Sequence, residues 1–170
     1  MKELLSNIQP DDVFYDIGAN IGLFSCLAAK QLNSGRVIAI EPLPSNISSL
    51  IRDAELCEAS NRVEVKDVVF SDETGETELK LLRSNKPGES MSRLSSDAGT
   101  DDTIQVESWR GDEFIVENEL PSPTGVKIDV EGAELKVIEG VSDTLASDGC
   151  QIVYCEIHHD DREESPKGQI

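Results

Sequence analysis

An acidic residue followed by two glycines marks the first place in the sequence where chemistry could occur. An apolar run leads into D-I-G-A-N-I-G at residues 16–22. Glycines after a buried strand let the backbone approach a ligand, and the N-terminus of a following helix offers free N–H groups. The segment is either a tight strand-to-helix turn and nothing more, or a place where a ligand lies against the backbone. Its candidate ligand-binding residues are Asp16, Gly18, Asn20 and Gly22.

The charge of Asp16 indicates which ligand the turn would suit. The fingerprint of a dinucleotide site is G-x-G-x-x-G, and Asn20 stands where its second glycine would be. Asp16 would repel a pyrophosphate at short range. S-adenosylmethionine instead carries a sulfonium and an ammonium, so an acidic rim suits it. The turn therefore favours a cationic adenosyl donor over NAD.

Two further strand ends could complete an adenosine site. Glu41 closes the second predicted strand, where a carboxylate can accept hydrogen bonds from the two hydroxyls of a ribose. Asp67 and Val68 end the third predicted strand, where they would offer the adenine a polar edge and an apolar face. For these two residues, ordinary sheet structure is an equally good explanation. The three positions predict an adenosine site spread over neighbouring strand ends.

Short apolar runs alternate with helical patterns along most of the chain. Strands are predicted at residues 13–17, 36–41, 62–70, 125–130 and 151–157. Helices are predicted at 23–32, from Ser45 onward and at 133–146. Residues predicted to pack from the first two helices are Leu23, Leu27, Ala28, Ile47, Leu50, Ile51 and Ala54. The alternation predicts an α/β fold: a Rossmann-like, doubly wound, mainly parallel sheet with helices on both faces.

One region departs from this alternation. Residues 77–83 and 103–107 resemble strands, and the Ser-, Gly- and Asp-rich segment 84–102 joins them. A connection of that length is either a functional lid or a mobile loop. Trp109 follows it and is predicted to anchor a core or an interface rather than to hold a substrate.

Composition narrows the function classes. The 170 residues carry a formal net charge of −19, which disfavours nucleic acid as a partner and is typical of proteins from a salt-rich cytoplasm. No apolar run is long enough to span a membrane. The four cysteines lack C-x-x-C spacing and only two histidines occur, so we predict free thiols, a cytoplasmic location and no metal site.

Four segments together resemble the FkbM-type family of S-adenosylmethionine-dependent methyltransferases, which has the class I methyltransferase fold. They are D-I-G-A-N-I-G at 16–22, V-V-F-S-D-E-T-G-E-T-E-L at 68–79, V-K-I-D-V-E-G-A-E-L-K-V-I-E-G at 126–140 and V-Y-C-E-I-H-H at 153–159. The third is the most specific. The resemblance implies methyl transfer from S-adenosylmethionine to a hydroxyl oxygen of a sugar, lipid or polyketide-like small molecule.

The resemblance also implies roles for individual residues. Asp16, Gly18, Asn20 and Gly22 would line the methionine part of the cofactor, Glu41 would hold the ribose, and Asp67 and Val68 would border the adenine. Asp129 and Glu131 lie at the end of the fourth predicted strand, next to the expected methyl group. Acids favoured by the N-terminus of the next helix are an equal explanation for Glu131 and Glu134.

A hydroxyl acceptor must lose its proton during attack on the methyl group. Candidate bases are Asp129, Glu131 and His158. Histidine has a suitable ordinary pKa of about 6.5, although a histidine that ends a strand more often has a structural role.

The sequence departs from the family in two places. Ser108-Trp109-Arg110 replaces the usual Thr-Leu-Asp run, which puts the polar contacts expected there in doubt. The sheet is expected to lack its last two strands: we predict a methyltransferase domain at 1–159 and a polar tail at 160–170. Such a sheet is either short, part of a longer protein, or covered at its exposed edge by a partner such as a second copy. Two alternative functions are an NAD-linked oxidoreductase and a non-catalytic cofactor-binding domain.

Overall fold

A computed structural model describes residues 2–82, 91–94 and 103–157. In chain order, its elements are α1 (Lys2–Asn7), β1 (Val13–Ile17), α2 (Leu23–Ala29), β2 (Arg36–Ile40), α3 (Pro44–Leu56), β3 (Val63–Lys66), β4 (Val69–Ser71), β5 (Gly75–Leu82), β6 (Met91–Leu94), β7 (Thr103–Arg110), α4 (Gly111–Glu117), β8 (Gly125–Ile128), α5 (Glu134–Gly140), α6 (Ser142–Leu145) and β9 (Ile152–Cys155).

Five parallel strands form the main sheet in the order β3-β2-β1-β8-β9. The chain moves outward from β1 to β3 and then returns to the other side of β1 at β8. The carboxyl ends of β1 and β8 therefore lie side by side where the strand order reverses, which is the usual ligand position in such sheets. The predicted α/β, mainly parallel sheet is confirmed.

Side chains alternate between the two faces of the main sheet, and each face has its own core. On β1, Phe14 packs with α1 and α2, whereas Tyr15 and Ile17 pack with α4 and α5. This alternation is the period-two pattern of a strand that is buried on both faces. Helices consequently cover both faces, as predicted.

A second, four-stranded sheet occupies the region between β3 and β8. Its order is β4-β7-β5-β6, with β4 parallel to β7 and β5 antiparallel to β6 and β7. The strand predicted at 62–70 is in fact two strands in different sheets, because the chain leaves the main sheet at Asp67 and Val68. The strands predicted at 77–83 and 103–107 correspond to β5 and β7. The predicted loop 84–102 contains β6, which pairs with β5.

The helices differ from the predictions in detail. Ala28 is buried as predicted, but Leu23 and Leu27 are exposed, and α2 buries Phe24 and Cys26 in their place. In α3, Leu50 and Ala54 are buried as predicted, whereas Ile51 is exposed. Helix α3 begins at Pro44, after Leu43, and not with Ser45 as its cap. The helix predicted at 133–146 is divided at Val141, where φ is −113°.

Helix α5 joins the two sheets at one close contact. A Cβ placed on Gly140 would lie 1.8 Å from the carbonyl oxygen of Ser71, so only glycine allows the last turn of α5 to rest on β4. The C-terminal end of α5 and strand β4 of the second sheet are thus held together through a backbone contact.

In the described part of the chain, β9 is an edge strand that pairs with β8 alone. Val153 on this strand is half exposed. Residues 158–170, which include His158 and the predicted tail at 160–170, lie outside the described residues.

None of the helices in the described residues has both the length and the apolar character needed to cross a membrane.

Candidate functional site

A cavity opens at the carboxyl edge of the main sheet, beside the ends of β1, β2 and β8. It collects six of the residues predicted from the sequence: Gly18, Asn20, Glu41, Val68, Asp129 and Glu131. The remaining lining residues are Ile17, Ile40, Pro42, Asn46, Val69, Phe70, Leu79, Val130, Ala133 and Val137. Polar groups from the strand ends therefore face a mostly apolar wall contributed by the second sheet and α5.

Three of the predicted site residues do not line the cavity, and a fourth lies outside the described part of the chain. Asp16 is completely buried behind the cavity. Gly22 approaches Leu50 of α3. Asp67 is exposed, while its neighbour Val68 is buried against the cavity. His158 lies outside the described residues.

Glu41 follows β2 directly and is only 4% exposed. Its Oε1 accepts hydrogen bonds from the backbone N–H of Leu43 (3.0 Å) and from Nδ2 of Asn46 (3.1 Å). Its Oε2 accepts one from the backbone N–H of Asn20 (2.9 Å). Burial raises the pKa of Glu41; the three hydrogen bonds counteract this effect, and the net direction is upward. The donors found for this carboxylate among the described residues are therefore all neutral.

Asp16 has a different environment on the neighbouring strand. Its Oδ1 accepts a hydrogen bond from Nζ of Lys127 (3.1 Å) and its Oδ2 accepts one from Oγ of Ser25 (2.6 Å). The Lys127 Nζ also lies 3.1 Å from Oδ2 of Asp129. Asp16 and Lys127 are paired residues of β1 and β8, which places both side chains on one face of the sheet. One buried ammonium is thus shared by two carboxylates.

Opposing effects act on the pKa of Lys127. Burial lowers it, but the carboxylates of Asp16 and Asp129 raise it by more, so the pKa of Lys127 lies above its ordinary value of 10.5. The ring of Phe24 is 5.6 Å from Nζ and adds a cation–π contact. Lys127 is therefore charged at neutral pH, as its two acidic neighbours require.

The first glycine of the turn is required by an internal contact as well as by the cavity. Gly18 has a φ of 78°, and a Cβ placed there would lie 2.1 Å from the carbonyl oxygen of Asp129. The turns that follow β1 and β8 consequently touch through their backbones. This contact fixes Asp129 relative to the rest of the rim.

Asp129 and Glu131 lie on the short turn between β8 and α5. The side chain of Asp129 is 30% exposed, and Glu131 is half-buried; both face the cavity. Glu134, in the first turn of α5, is buried and accepts a hydrogen bond from the backbone N–H of Gly132 (3.2 Å). Glu134 thus has a structural role at this helix start.

Sequence reasoning missed Asn46, Lys127 and the wall from the second sheet. Lys127 carried a usable signal, since a lysine between Val126 and Ile128 interrupts an otherwise apolar strand. The apolar run at 68–70 was recognised only as part of a strand. Asn46 carried no signal, because a polar residue near a helix start is common.

Comparisons of this chain with protein families, curated proteins and solved structures agree with this fold. A family model described as the methyltransferase FkbM domain matches residues 16–168. The chain belongs to the FkbM methyltransferase family.

Two curated proteins illustrate the range of relatives. The hexuronic acid methyltransferase AglP of Haloferax volcanii is 31% identical over 158 residues, which cover 93% of this chain and 61% of AglP. The 31-O-demethyl-FK506 methyltransferase FkbM of Streptomyces tacrolimicus is 27% identical over 162 residues, which cover 80% of this chain and 62% of that protein. The chain thus spans about three fifths of the length of these relatives.

Solved structures share the fold at lower sequence identity. A methyltransferase FkbM from Methylobacillus flagellatus KT superposes with a TM-score of 0.58 at 18% identity, over 85% of this chain and 33% of that one. A precorrin-6y C5,15-methyltransferase from Geobacter metallireducens GS-15 superposes with a TM-score of 0.53 at 20% identity, over 87% of this chain and 57% of that one. Both belong to the Rossmann-like methyltransferase fold that the FkbM family shares.

Proposed function

We propose that this chain binds S-adenosylmethionine and transfers its methyl group to a hydroxyl oxygen of a small molecule. The observation that carries the proposal is Glu41, a buried carboxylate held by neutral donors at the end of β2 on a cavity. Two vicinal ribose hydroxyls are suitable donors to such a carboxylate. Membership of the FkbM family supports the same cofactor.

The residues around the cavity fit the cofactor chemically. Glu41 would hold the ribose, Val68 and the apolar wall would face the adenine, and Gly18 and Asn20 would lie against the methionine part. Asp16 and Gly22 would support this turn from behind the lining, and Asp67 would border the adenine from the exposed side. S-adenosylmethionine supplies an electrophilic methyl group on a positively charged sulfur.

Asp129 and Glu131 are the proposed catalytic residues. Their carboxylates face the cavity between β8 and α5, so they could orient an acceptor hydroxyl and receive its proton. They would also attract a cationic donor, because the described lining contains Glu41, Asp129 and Glu131 but no Lys or Arg. His158 remains a third candidate from the sequence.

The class of acceptor follows from the relatives. One curated relative is named for a hexuronic acid and another for the 31-oxygen of demethyl-FK506. A sugar, sugar acid or polyketide-like hydroxyl compound is therefore the proposed acceptor.

The setting of the reaction is also part of the proposal. Four free thiols support a cytoplasmic location. The net charge of −19 supports a salt-rich cytoplasm and argues against nucleic acid as a partner. A single catalytic domain at 1–159 could form a homo-oligomer through the edge of β9.

The test compares cofactors before it looks for acceptors. S-adenosylmethionine and S-adenosylhomocysteine should each raise the melting temperature, whereas NAD should leave it unchanged. Tritium from labelled S-adenosylmethionine should then appear in a sugar or polyketide acceptor. A melting temperature raised by NAD alone would support the oxidoreductase instead. Cofactor binding without transfer to any acceptor of either class would support a non-catalytic domain.

A further inference from the structure

Asn46 is a buried polar residue of the cavity to which the sequence assigns no role. It lies in the first turn of α3, is only 4% exposed and faces the same cavity as Glu41. Its Nδ2 donates a hydrogen bond to Oε1 of Glu41 at 3.1 Å. A buried side-chain amide that bonds to a cavity carboxylate can influence both its direction and its charge.

The three donors to Glu41 are of two kinds. The N–H groups of Leu43 and Asn20 belong to the backbone, so substitution leaves them in place. Asn46 is the one side-chain donor among them. Two donors on Oε1 hold that oxygen on the α3 side, while Oε2 accepts only from Asn20 within the protein hydrogen bonds described here. Oε2 is therefore the oxygen with more capacity for a ligand hydroxyl.

Charged groups around Glu41 make this neutral donor important. Asp16 approaches from β1, and Asp129 and Glu131 line the same cavity after β8. Lys127 bonds to Asp16 and Asp129, and Lys66 at the end of β3 pairs with Glu64 at 2.9 Å. The described partners of Glu41 are Asn20, Leu43 and Asn46 and include neither lysine. Burial and acidic neighbours thus oppose the ionised form, and hydrogen bonds support it.

We propose that Asn46 is the positioning residue that supports the ionised form of Glu41 and turns its carboxylate so that Oε2 meets the ribose hydroxyls of the cofactor. The inference rests on the proposed function for its ligand. Its effect on Glu41 is a property of the protein alone and can be measured without a cofactor.

The first measurement is the titration of the Glu41 carboxyl by carbon NMR, with the signal assigned by Glu41→Gln. Asn46→Ala should move this titration to higher pH, because a donor to the ionised form is lost. Asn46→Asp should move it further, because it adds a negative charge. Asn46→Ser is a second variant for the case in which the alanine variant fails to fold, since its hydroxyl is too short to reach Oε1. Ser48→Ala, which loses an exposed bond to Pro44 in the same helix, is the control.

The second measurement is calorimetric affinity for S-adenosylmethionine as a function of pH. Asn46→Ala should bind roughly tenfold more weakly near neutral pH, the effect of one hydrogen bond to a charged group. The loss should grow at acidic pH and shrink at alkaline pH, whereas a merely structural effect would be the same across the range. An unchanged Glu41 titration together with parent-like affinity would overturn the inference. Failure of the parent chain itself to bind S-adenosylmethionine would instead refute the proposed function.

Discussion

Two adjacent strands each have a buried carboxylate at their end, and different groups bond to the two carboxylates. Asp16 of β1 is 0% exposed and bonds to the ammonium of Lys127. Glu41 after β2 is 4% exposed, and within the part of the chain that the structure describes it bonds to neutral N–H groups only. Exposure alone would class the two residues together. Their partners separate a carboxylate whose charge is compensated inside the protein from one whose charge remains directed at a cavity.

This difference in partners distinguishes a buried charge with a structural role from one that can bind a ligand. A buried ion pair satisfies itself and needs no ligand, although removal of one partner leaves an expensive isolated charge. A buried carboxylate that is held by neutral donors keeps its net charge, so it can still attract hydroxyl donors or a cation. Asp16 is therefore expected to act mainly on stability, and Glu41 mainly on binding.

The largest effect is expected from Lys127→Met. Loss of the ammonium leaves Asp16 buried without a cation, and breaking such a pair costs about 3–5 kcal/mol of unfolding free energy. Urea denaturation at neutral pH measures the loss. Lys136→Met is the matched control, since Lys136 is exposed and pairs with Asp72 at 3.5 Å, an interaction worth less than about 1 kcal/mol. Equal losses in the two variants would contradict the role of Lys127 in the core.

A double variant measures how far the pair acts as a unit. Asp16→Asn combined with Lys127→Met removes both charges, so the combined loss should be smaller than the sum of the single losses by about 1–3 kcal/mol. The three denaturation curves give this coupling energy. Strict additivity would mean that Lys127 and Asp16 do not depend on each other.

The acid side of the pH–stability profile should isolate Glu41. Because its folded pKa is raised above the ordinary 4.5, the fold favours the protonated form. The contribution of Glu41 is therefore present below pH 4.5 and is lost as the pH rises through the folded pKa. The stability of the parent relative to Glu41→Gln should fall over that range. A difference that is constant with pH would show that burial does not disfavour the charge of Glu41.

The alkaline side should isolate Lys127. Its folded pKa is raised above 10.5, so its stabilising contribution is complete below pH 10.5 and is lost as the pH rises through the folded pKa. The gap in stability between the parent and Lys127→Met should narrow there. Guanidinium denaturation at several alkaline pH values follows the gap, and a gap that widened would reverse the assigned direction.

The smallest effect is expected from Asn20→Gly. Asn20 has a φ of 52°, a conformation that glycine adopts easily, and it holds Glu41 through its backbone N–H. Unfolding free energy should change by less than about 1 kcal/mol. Affinity for S-adenosylmethionine should change by less than about twofold, well below the tenfold that corresponds to 1.4 kcal/mol. A tenfold loss of affinity would instead assign a ligand contact to the side chain.

Much of the fold could be predicted because local patterns determine it. Short apolar runs separated by turn residues identified all five strands of the main sheet, and the residues predicted at their ends include six of the sixteen that line the cavity. Glu41 and Gly18 were recognisable because a strand end and a turn are visible in the sequence itself.

What could not be predicted depends on contacts between distant segments. Lys127 and Asp16 are 111 residues apart, and only the adjacency of β1 and β8 brings them together. The division of residues 62–70 between two sheets depends on β7, which follows much later in the chain. The error in α2 has a similar cause: Ala28 packs as predicted, but the fold buries Phe24 beside it and leaves the equally apolar Leu23 and Leu27 exposed.

The contact between Gly140 and Ser71 has a practical consequence for protein engineering. A chimera that exchanges the second sheet with that of a relative must also have a glycine in the last turn of α5. Without it, β4 of the exchanged sheet cannot pack against α5. Junctions between parental sequences are therefore best placed before β4 and after α5, so that Ser71 and Gly140 come from the same parent.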